Sequence, residues 1–269
     1  MSTVNAKREL VLFDAADRVA TVTLNRPERR NAISAALARA ITDAMLEAEQ
    51  RDDVDVVVLT GSGPAFCAGL DLVELGDSGD NLAPHGVTTG PWSPGGGTWH
   101  PMTKPVIGAI NGPAVTGGLE LALQCDILIA GERAAFADTH ARVGVFPGGG
   151  MISLLPRAVG LRAALAMSLS GNFVDAHAAL RIGLVVDVVP DDELLAAARR
   201  LATDIASAEQ PLMRAILDTY RHTADLGLNE AVAAEAAAAA DWNSRIDFAG
   251  VRARRAGVIA RGRTQHRPT

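Results

Sequence analysis

The sequence predicts an α/β protein whose C-terminal part is helical, and three observations indicate this class. The alternating, β-branched segment at residues 18–24 and the near-continuous apolar run at 54–60 are typical of strands. Residues 34–51, between them, have helical periodicity. From Asp191 to the end, every segment has the pattern of a helix or a tail, so the predicted strands all belong to the first part of the chain.

Each element of the first part follows from its own residues. Asn25-Arg26-Pro27 ends the first strand, and Ser34 can cap the helix that follows. Four apolar residues of that helix share one face: Leu37, Ile41, Met45 and Ala48. The later elements are predicted as strands at 105–110, 126–130, 134–138 and 184–189, and as helices at 117–124, 150–157, 161–169 and 175–182.

The stretch 76–100 differs from its surroundings because it is rich in Gly and Pro and has no periodicity. Long irregular loops of this kind are usually either lids or disordered segments. Trp92 and Trp99 could cover an apolar ligand, which favours a mobile lid. His85 and His100 lie in the same stretch.

Composition and charge exclude several classes of function. The formal net charge of -6 argues against a nucleic-acid-binding protein, which needs a basic face. Cys67 and Cys125 have neither metal-ligand nor disulfide-framework spacing, and no metal site is predicted. No apolar run is long enough to span a bilayer, and the opening residues lack the apolar core of a secretory signal. A cytoplasmic protein without a membrane partner is therefore predicted.

One segment carries the elements of an anion-binding site. Gly117-Gly118 opens a predicted helix, and a helix N-terminus offers free N–H groups and the positive end of a dipole. Glu120 follows one helical turn later, so its carboxylate lies on the same side as the Gly117 N–H. The alternative is a purely structural glutamate that the helix dipole favours in the first turn.

Four stretches, taken together, resemble the enoyl-CoA hydratase/isomerase (crotonase) superfamily over residues 8–200. They are TVTLNRPERRNAIS, AFCAGLDL, NGPAVTGGLELA and FADTHARVGVFPGGG, in this order. The first matches the family's usual first strand and turn. The resemblance implies a spiral of ββα units over residues 1–195 that carries the acyl-CoA site. It also implies a helical trimerisation region at 196–269.

The resemblance also implies roles for individual residues. The backbone N–H groups of Ala68 and Gly117 would form an oxyanion hole for the thioester oxygen. Glu120 matches the first catalytic glutamate. Arg30 and Ala32 would lie near the adenine and phosphate part of CoA. The remaining predicted substrate or CoA contacts are Phe66, Leu70, Asp71, Gly118 and Thr139, and Asp71 could instead cap a turn or helix.

The sequence departs from the family at His140, where the hydratases carry a second glutamate. Imidazole is a competent acid and base near neutral pH, so a Glu120–His140 pair could still grip and activate one water. The alternative is that His140 only lines the pocket. A thiol nucleophile at Cys67 is the weaker alternative to a small buried hydrophobe.

The predicted function is therefore hydration of a 2-enoyl-CoA through a stabilised thioester enolate, with CoA as part of the substrate and no cofactor. Other reactions of the family, such as isomerisation, thioester hydrolysis or C–C cleavage, stay open because one fold serves many chemistries. A protein that binds acyl-CoA without turnover also stays open, because the second glutamate is absent. The resemblance implies a homotrimer or dimer of trimers, and the Ala-rich segment 230–240 is compatible with assembly, since such helices need close neighbours.

Overall fold

A computed structural model describes residues 9–82 and 98–265 of the chain. The nine strands within these residues are β1 (Val11–Ala16), β2 (Val19–Leu24), β3 (Val56–Gly61), β4 (Val106–Ile110), β5 (Ala114–Val115), β6 (Ile127–Gly131), β7 (Ala135–Ala137), β8 (Val174–Asp175) and β9 (Asp187–Val189). A 3-10 helix covers Pro27–Arg29. The α-helices are α1 (Ala35–Gln50), α2 (Leu72–Asp77), α3 (Gly117–Leu123), α4 (His140–Val143), α5 (Met151–Val159), α6 (Leu161–Ser170), α7 (Ala176–Arg181), α8 (Leu194–Ala206), α9 (Gln210–Thr223), α10 (Leu228–Asn243) and α11 (Phe248–Gln265).

The strands form two sheets, and the α/β class is confirmed. The larger sheet has the order β1-β2-β3-β4-β6-β9, in which only β1 is antiparallel to its neighbour. The smaller sheet has the order β5-β7-β8. Parallel neighbours need crossover connections, and the intervening helices supply them. The carboxyl ends of β3 and β4 lead directly into the segments that build the site.

The predicted strand at 54–60 is buried on both faces, as expected. Val57 and Leu59 of β3 pack into the main core, which also contains the buried face of α1. Val56 and Val58 point to the opposite face, where α8 packs with Leu194 and other small or aliphatic residues. Because side chains alternate along a strand, one apolar run serves two cores.

The prediction missed strands β1, β5 and β8 and helices α2 and α4, and it placed β9 over too long a segment. The segment TVTL lies in β2 rather than in the first strand, and β1 precedes it. Residues of β1 alternate between half-buried and exposed, so the strand lacks a strong apolar pattern. Only Asp187–Val189 of the predicted strand at 184–189 is a strand.

The predicted lid falls partly outside the described residues. His85 and Trp92 belong to the part that is not described, whereas helix α2 extends into the N-terminal end of the stretch. Trp99 is only 6% exposed and belongs to the main core. The prediction that Trp99 covers a ligand is therefore wrong, because its surface is used in packing.

The chain divides into two compact units, Met1–Gln210 and Pro211–Thr269. Helix α8 belongs to the first unit, so that unit extends beyond the predicted limit at residue 195. The assignment of an acyl-CoA site to residues 1–195 and of trimerisation to 196–269 stays a prediction. Among the helices in the described ranges, none is both long and apolar enough to cross a membrane.

Candidate active site

Two loop segments run side by side where β3 and β4 end. The Cys67 N–H donates to the Pro113 carbonyl at 3.1 Å, and the Val115 N–H donates to the Cys67 carbonyl at 2.9 Å. Gly118, at the start of α3, lies so close that an added Cβ would be 2.1 Å from the Cys67 carbonyl oxygen. Only glycine allows this approach. Gly118, predicted as a substrate contact, therefore lets the two segments pack closely against each other.

The backbone donors of these segments differ from the predicted pair. The Ala68 N–H donates to the Arg30 carbonyl at 3.0 Å, so it is not free to bind a ligand oxygen, and the prediction for Ala68 is wrong. The N–H groups of Leu70 and Gly117 have no acceptor among the described residues. They are also neighbours, since a Cβ added to Gly117 would lie 3.6 Å from the Leu70 nitrogen. Leu70 and Gly117 therefore offer the adjacent free donors.

Thr116 has an unusual backbone conformation directly before Gly117, with φ 54° and ψ −112°. Such a conformation costs a β-branched residue on the order of 1–3 kcal/mol and persists only when its surroundings hold it. The Thr116 and Thr139 hydroxyl oxygens lie 2.5 Å apart, and the Thr139 N–H donates to the Thr116 hydroxyl at 3.3 Å. The contacts of Thr139, predicted as a substrate contact, thus stabilise the turn that sets the direction of the Gly117 N–H.

Glu120 is buried in the first turn of α3, with only 1% of its surface exposed. Its Oε1 accepts a hydrogen bond of 2.8 Å from the Gly149 N–H, which fixes the carboxylate. Burial raises the pKa of Glu120, although nearby His140 and backbone donors oppose the shift. Glu120 is therefore held in place as a carboxyl group that binds a proton more tightly than an exposed glutamate does.

His140 is the first residue of α4 and lies against Glu120. Its Nε2 is 3.9 Å from Glu120 Oε2, and its side chain is 4% exposed. Its Nδ1 is 2.7 Å from Oδ1 of Asp138, which is also buried. The structure thus places the two predicted acid–base residues together and adds a third member, Asp138.

Asp138 was missed by the sequence analysis. Burial by itself would raise its pKa, but hydrogen bonds from His140 and Ser168 reverse the shift and lower the pKa. Asp138 is therefore held as a carboxylate. Its position two residues before His140 was the available signal, but that spacing does not tell whether two side chains meet.

The remaining predicted residues surround this centre in different ways. Arg30 is exposed, and the Ala32 carbonyl accepts a hydrogen bond of 2.9 Å from Arg26 Nη1. The Phe66 side chain is fully buried in the main core. Asp71 caps α2 through the Val73 N–H and pairs with Arg26 at 2.7 Å, as expected for a capping residue. The predicted ligand contacts of these residues stay predictions.

Neither cysteine has the surroundings of a nucleophile. The Cys67 thiol is fully buried and donates to the Asn31 carbonyl, and burial raises its pKa to about 12. A thiol in this state is not a thiolate at neutral pH. Within residues 9–82 and 98–265, no group of three or more His, Cys, Asp or Glu side chains is arranged to hold a metal ion.

These features define a class of site: two adjacent free backbone donors beside a buried carboxyl–imidazole pair. The family model of enoyl-CoA hydratase/isomerase matches residues 14–254. A probable mitochondrial enoyl-CoA hydratase of Dictyostelium discoideum is 37% identical over 225 residues, which are 80% of this chain and 76% of that protein.

Solved structures agree with this match. An enoyl-CoA hydratase from Mycobacterium smegmatis is 51% identical, with a TM-score of 0.72 over 87% of this chain and 98% of the other. An enoyl-CoA hydratase from Bacillus anthracis is 29% identical, with a TM-score of 0.81 over 92% and 96% of the two chains. The chain belongs to the enoyl-CoA hydratase/isomerase family and has its fold.

Proposed function

We propose that the protein adds water across the 2,3 double bond of a 2-enoyl-CoA, which makes it a lyase of the hydratase type. The observation that supports this proposal best is the buried pair of Glu120 and His140, whose Oε2 and Nε2 atoms are 3.9 Å apart. This distance is too long for a direct hydrogen bond but lets one water molecule bind both atoms. Addition of water to a double bond needs a bound water molecule and groups that exchange protons with it and with the substrate. A carboxyl group and an imidazole on either side of the water meet this need.

The two free backbone donors supply the second requirement. The N–H groups of Leu70 and Gly117 would bind the thioester oxygen and stabilise the negative charge that develops when C3 is attacked. Losing one such donor in other enzymes costs about 3 kcal/mol of transition-state stabilisation. The water oxygen forms a bond to C3, the π electrons move toward the thioester as an enolate, and C2 then takes a proton. One member of the Glu120–His140 pair removes a proton from water, and the other supplies the proton to C2.

Binding of the CoA part and the assembly state belong to the same proposal. Arg30 is exposed beside Ala32, which is compatible with contacts to a phosphate or an adenine group. CoA is then part of the substrate, and the reaction needs no further cofactor.

We also propose a homotrimer or dimer of trimers in the cytoplasm, with no nucleic-acid partner.

The experiment that tests the function is product analysis after incubation with 2-butenoyl-CoA in ¹⁸O-labelled water and, separately, in D₂O. Hydration gives 3-hydroxybutanoyl-CoA with one ¹⁸O atom on C3 and one deuterium on C2. Free CoA with ¹⁸O in the acid would identify thioester hydrolysis, and a shifted double bond without ¹⁸O would identify isomerisation. Tight binding without any product would leave an acyl-CoA-binding protein.

A further inference from the structure

Asp138 lies behind His140, on the side away from Glu120. It follows β7, and His140 begins α4 two residues later. Its Oδ1 accepts a hydrogen bond of 3.2 Å from the backbone N–H of His140. The same oxygen lies 2.7 Å from the ring nitrogen Nδ1 of His140. Ser168 of α6 also helps to lower the pKa of this carboxyl group. Asp138 therefore accepts from both the backbone and the ring of His140 and fixes their orientation.

An ionised carboxylate can only accept hydrogen bonds. A ring nitrogen 2.7 Å away must therefore donate, which places the proton of the neutral imidazole on Nδ1. The lone pair is then on Nε2, the nitrogen that faces Glu120 Oε2. Within the described residues, Asp138 and Glu120 are the ionisable groups that face the imidazole.

We infer that Asp138 is a positioning residue that holds His140 in the Nδ1–H tautomer and so makes Nε2 the base that removes a proton from the attacking water. The inference rests on the proposed hydration for its chemical step. In that step the water O–H bond breaks, its proton goes to His140 Nε2, and the hydroxyl oxygen bonds to C3. Glu120 supplies the proton that C2 takes up, and transfer from imidazolium to the Glu120 carboxylate restores both groups.

Asp138→Asn tests this role because the amide can donate to Nδ1, which favours the opposite tautomer with the proton on Nε2. We expect kcat to fall by about 10²-fold or more while KM changes little. In a His140→Gln background, the same change should cost almost nothing further, because Asp138 acts through the imidazole. Asp43→Asn, at an exposed position of α1, is the matched control and should behave as the wild type.

The tautomer itself is measured by ¹H–¹⁵N correlation NMR of histidine-labelled protein, with His140 assigned among the six histidines from the His140→Gln spectrum. The wild type should have the proton on Nδ1, and Asp138→Asn should have it on Nε2.

A wild type with the proton on Nε2 would overturn the inference even if Asp138→Asn did not fold. An equal loss from Asp138→Asn with and without His140 would also overturn it. A wild type with the Nδ1–H tautomer and no hydration would refute the proposed function and the base role, while leaving the positioning by Asp138 intact.

Discussion

The two compact units of the chain differ in how they bury their side chains. In Met1–Gln210, Glu120 and His140 are almost fully enclosed, and each has a defined polar neighbour. In the second unit, none of residues 211–264 is buried, and Leu228, Phe248 and Val258 are 80%, 70% and 69% exposed. The first unit therefore carries a preorganised site in its own core. The second presents large apolar side chains at its surface, which is typical of protein–protein contact sites.

The largest expected effect tests the enclosed site at Glu120. We expect Glu120→Gln to lower turnover by roughly 10²- to 10⁴-fold, because glutamine cannot transfer a proton. Binding of a CoA thioester should stay nearly intact, since glutamine keeps the shape and can still accept from the Gly149 N–H. Steady-state kinetics and calorimetry measure the two quantities. Glu132→Gln, at an exposed position, is the control, and wild-type turnover in Glu120→Gln would leave Glu120 with a structural role only.

The second test concerns His140. We expect His140→Gln to lower kcat/KM by about 10²-fold or more, because an amide cannot take a proton from water. His177→Gln, which changes an exposed histidine, should leave kcat/KM unchanged. A slow wild type that accelerates strongly on His140→Glu would mean that this site serves another reaction.

A smaller effect is expected where the two loop segments meet. Gly69 has φ 92°, and an added Cβ would lie 2.7 Å from the Val115 carbonyl oxygen. We expect Gly69→Ala to lower the free energy of unfolding by about 1–3 kcal/mol and to reduce kcat by displacing the Leu70 N–H. Gly76→Ala is the matched control, because nothing lies within 4 Å of its added Cβ. Urea unfolding compares the two, and equal stabilities would show that this contact is not tight.

The second unit is tested through its assembly. If its apolar surface is covered by other copies of the chain, light scattering at micromolar concentration should give the mass of a trimer or of two trimers. Phe248→Ser should weaken that assembly by about 1.5–3 kcal/mol, the contribution of a large apolar side chain. A wild type that is monomeric under these conditions would contradict the proposed role of this unit.

The smallest effect concerns stability and pH. Burial raises the pKa of Glu120, so the folded state favours its protonated form. The folded protein then loses stability as pH rises from the unfolded to the folded pKa, and the full cost is present above the folded pKa. Glutamine carries no charge, so Glu120→Gln should be more stable than the wild type at neutral pH. In urea unfolding across a pH series, the difference should shrink toward about pH 4, and a more stable wild type at pH 7 would contradict the shift.

The sequence predicted much of this site because several of its parts are contiguous. Gly117 and Glu120 share one helical turn, and His140 follows a short, recognisable strand. The resemblance implied Ala68 as a free donor, but a sequence motif does not tell which amide of a loop pairs with the chain beside it. In the structure, the Arg30 carbonyl takes that amide and leaves the one at Leu70 free.

Other features depended on distant packing. Strand β1 has a half-exposed pattern that no apolar periodicity marks, and only its pairing with β2 defines it. The burial of Trp99 depends on the main core rather than on its Gly-rich surroundings. Asp138 needed the turn at the start of α4 to bring its carboxylate to the ring of His140. None of these three features can be read from the local sequence pattern, because each depends on contacts that form only in the folded chain.

The central claim is that Glu120 and His140 act as one unit on one water molecule. A double-mutant cycle tests it directly, with the hydration rates of wild type, Glu120→Gln, His140→Gln and the double variant measured on one 2-enoyl-CoA at one pH. The account predicts strong non-additivity, with the double variant no slower than the slower single variant by more than a few-fold. Losses that multiply in the double variant would show two independent roles and would contradict the claim.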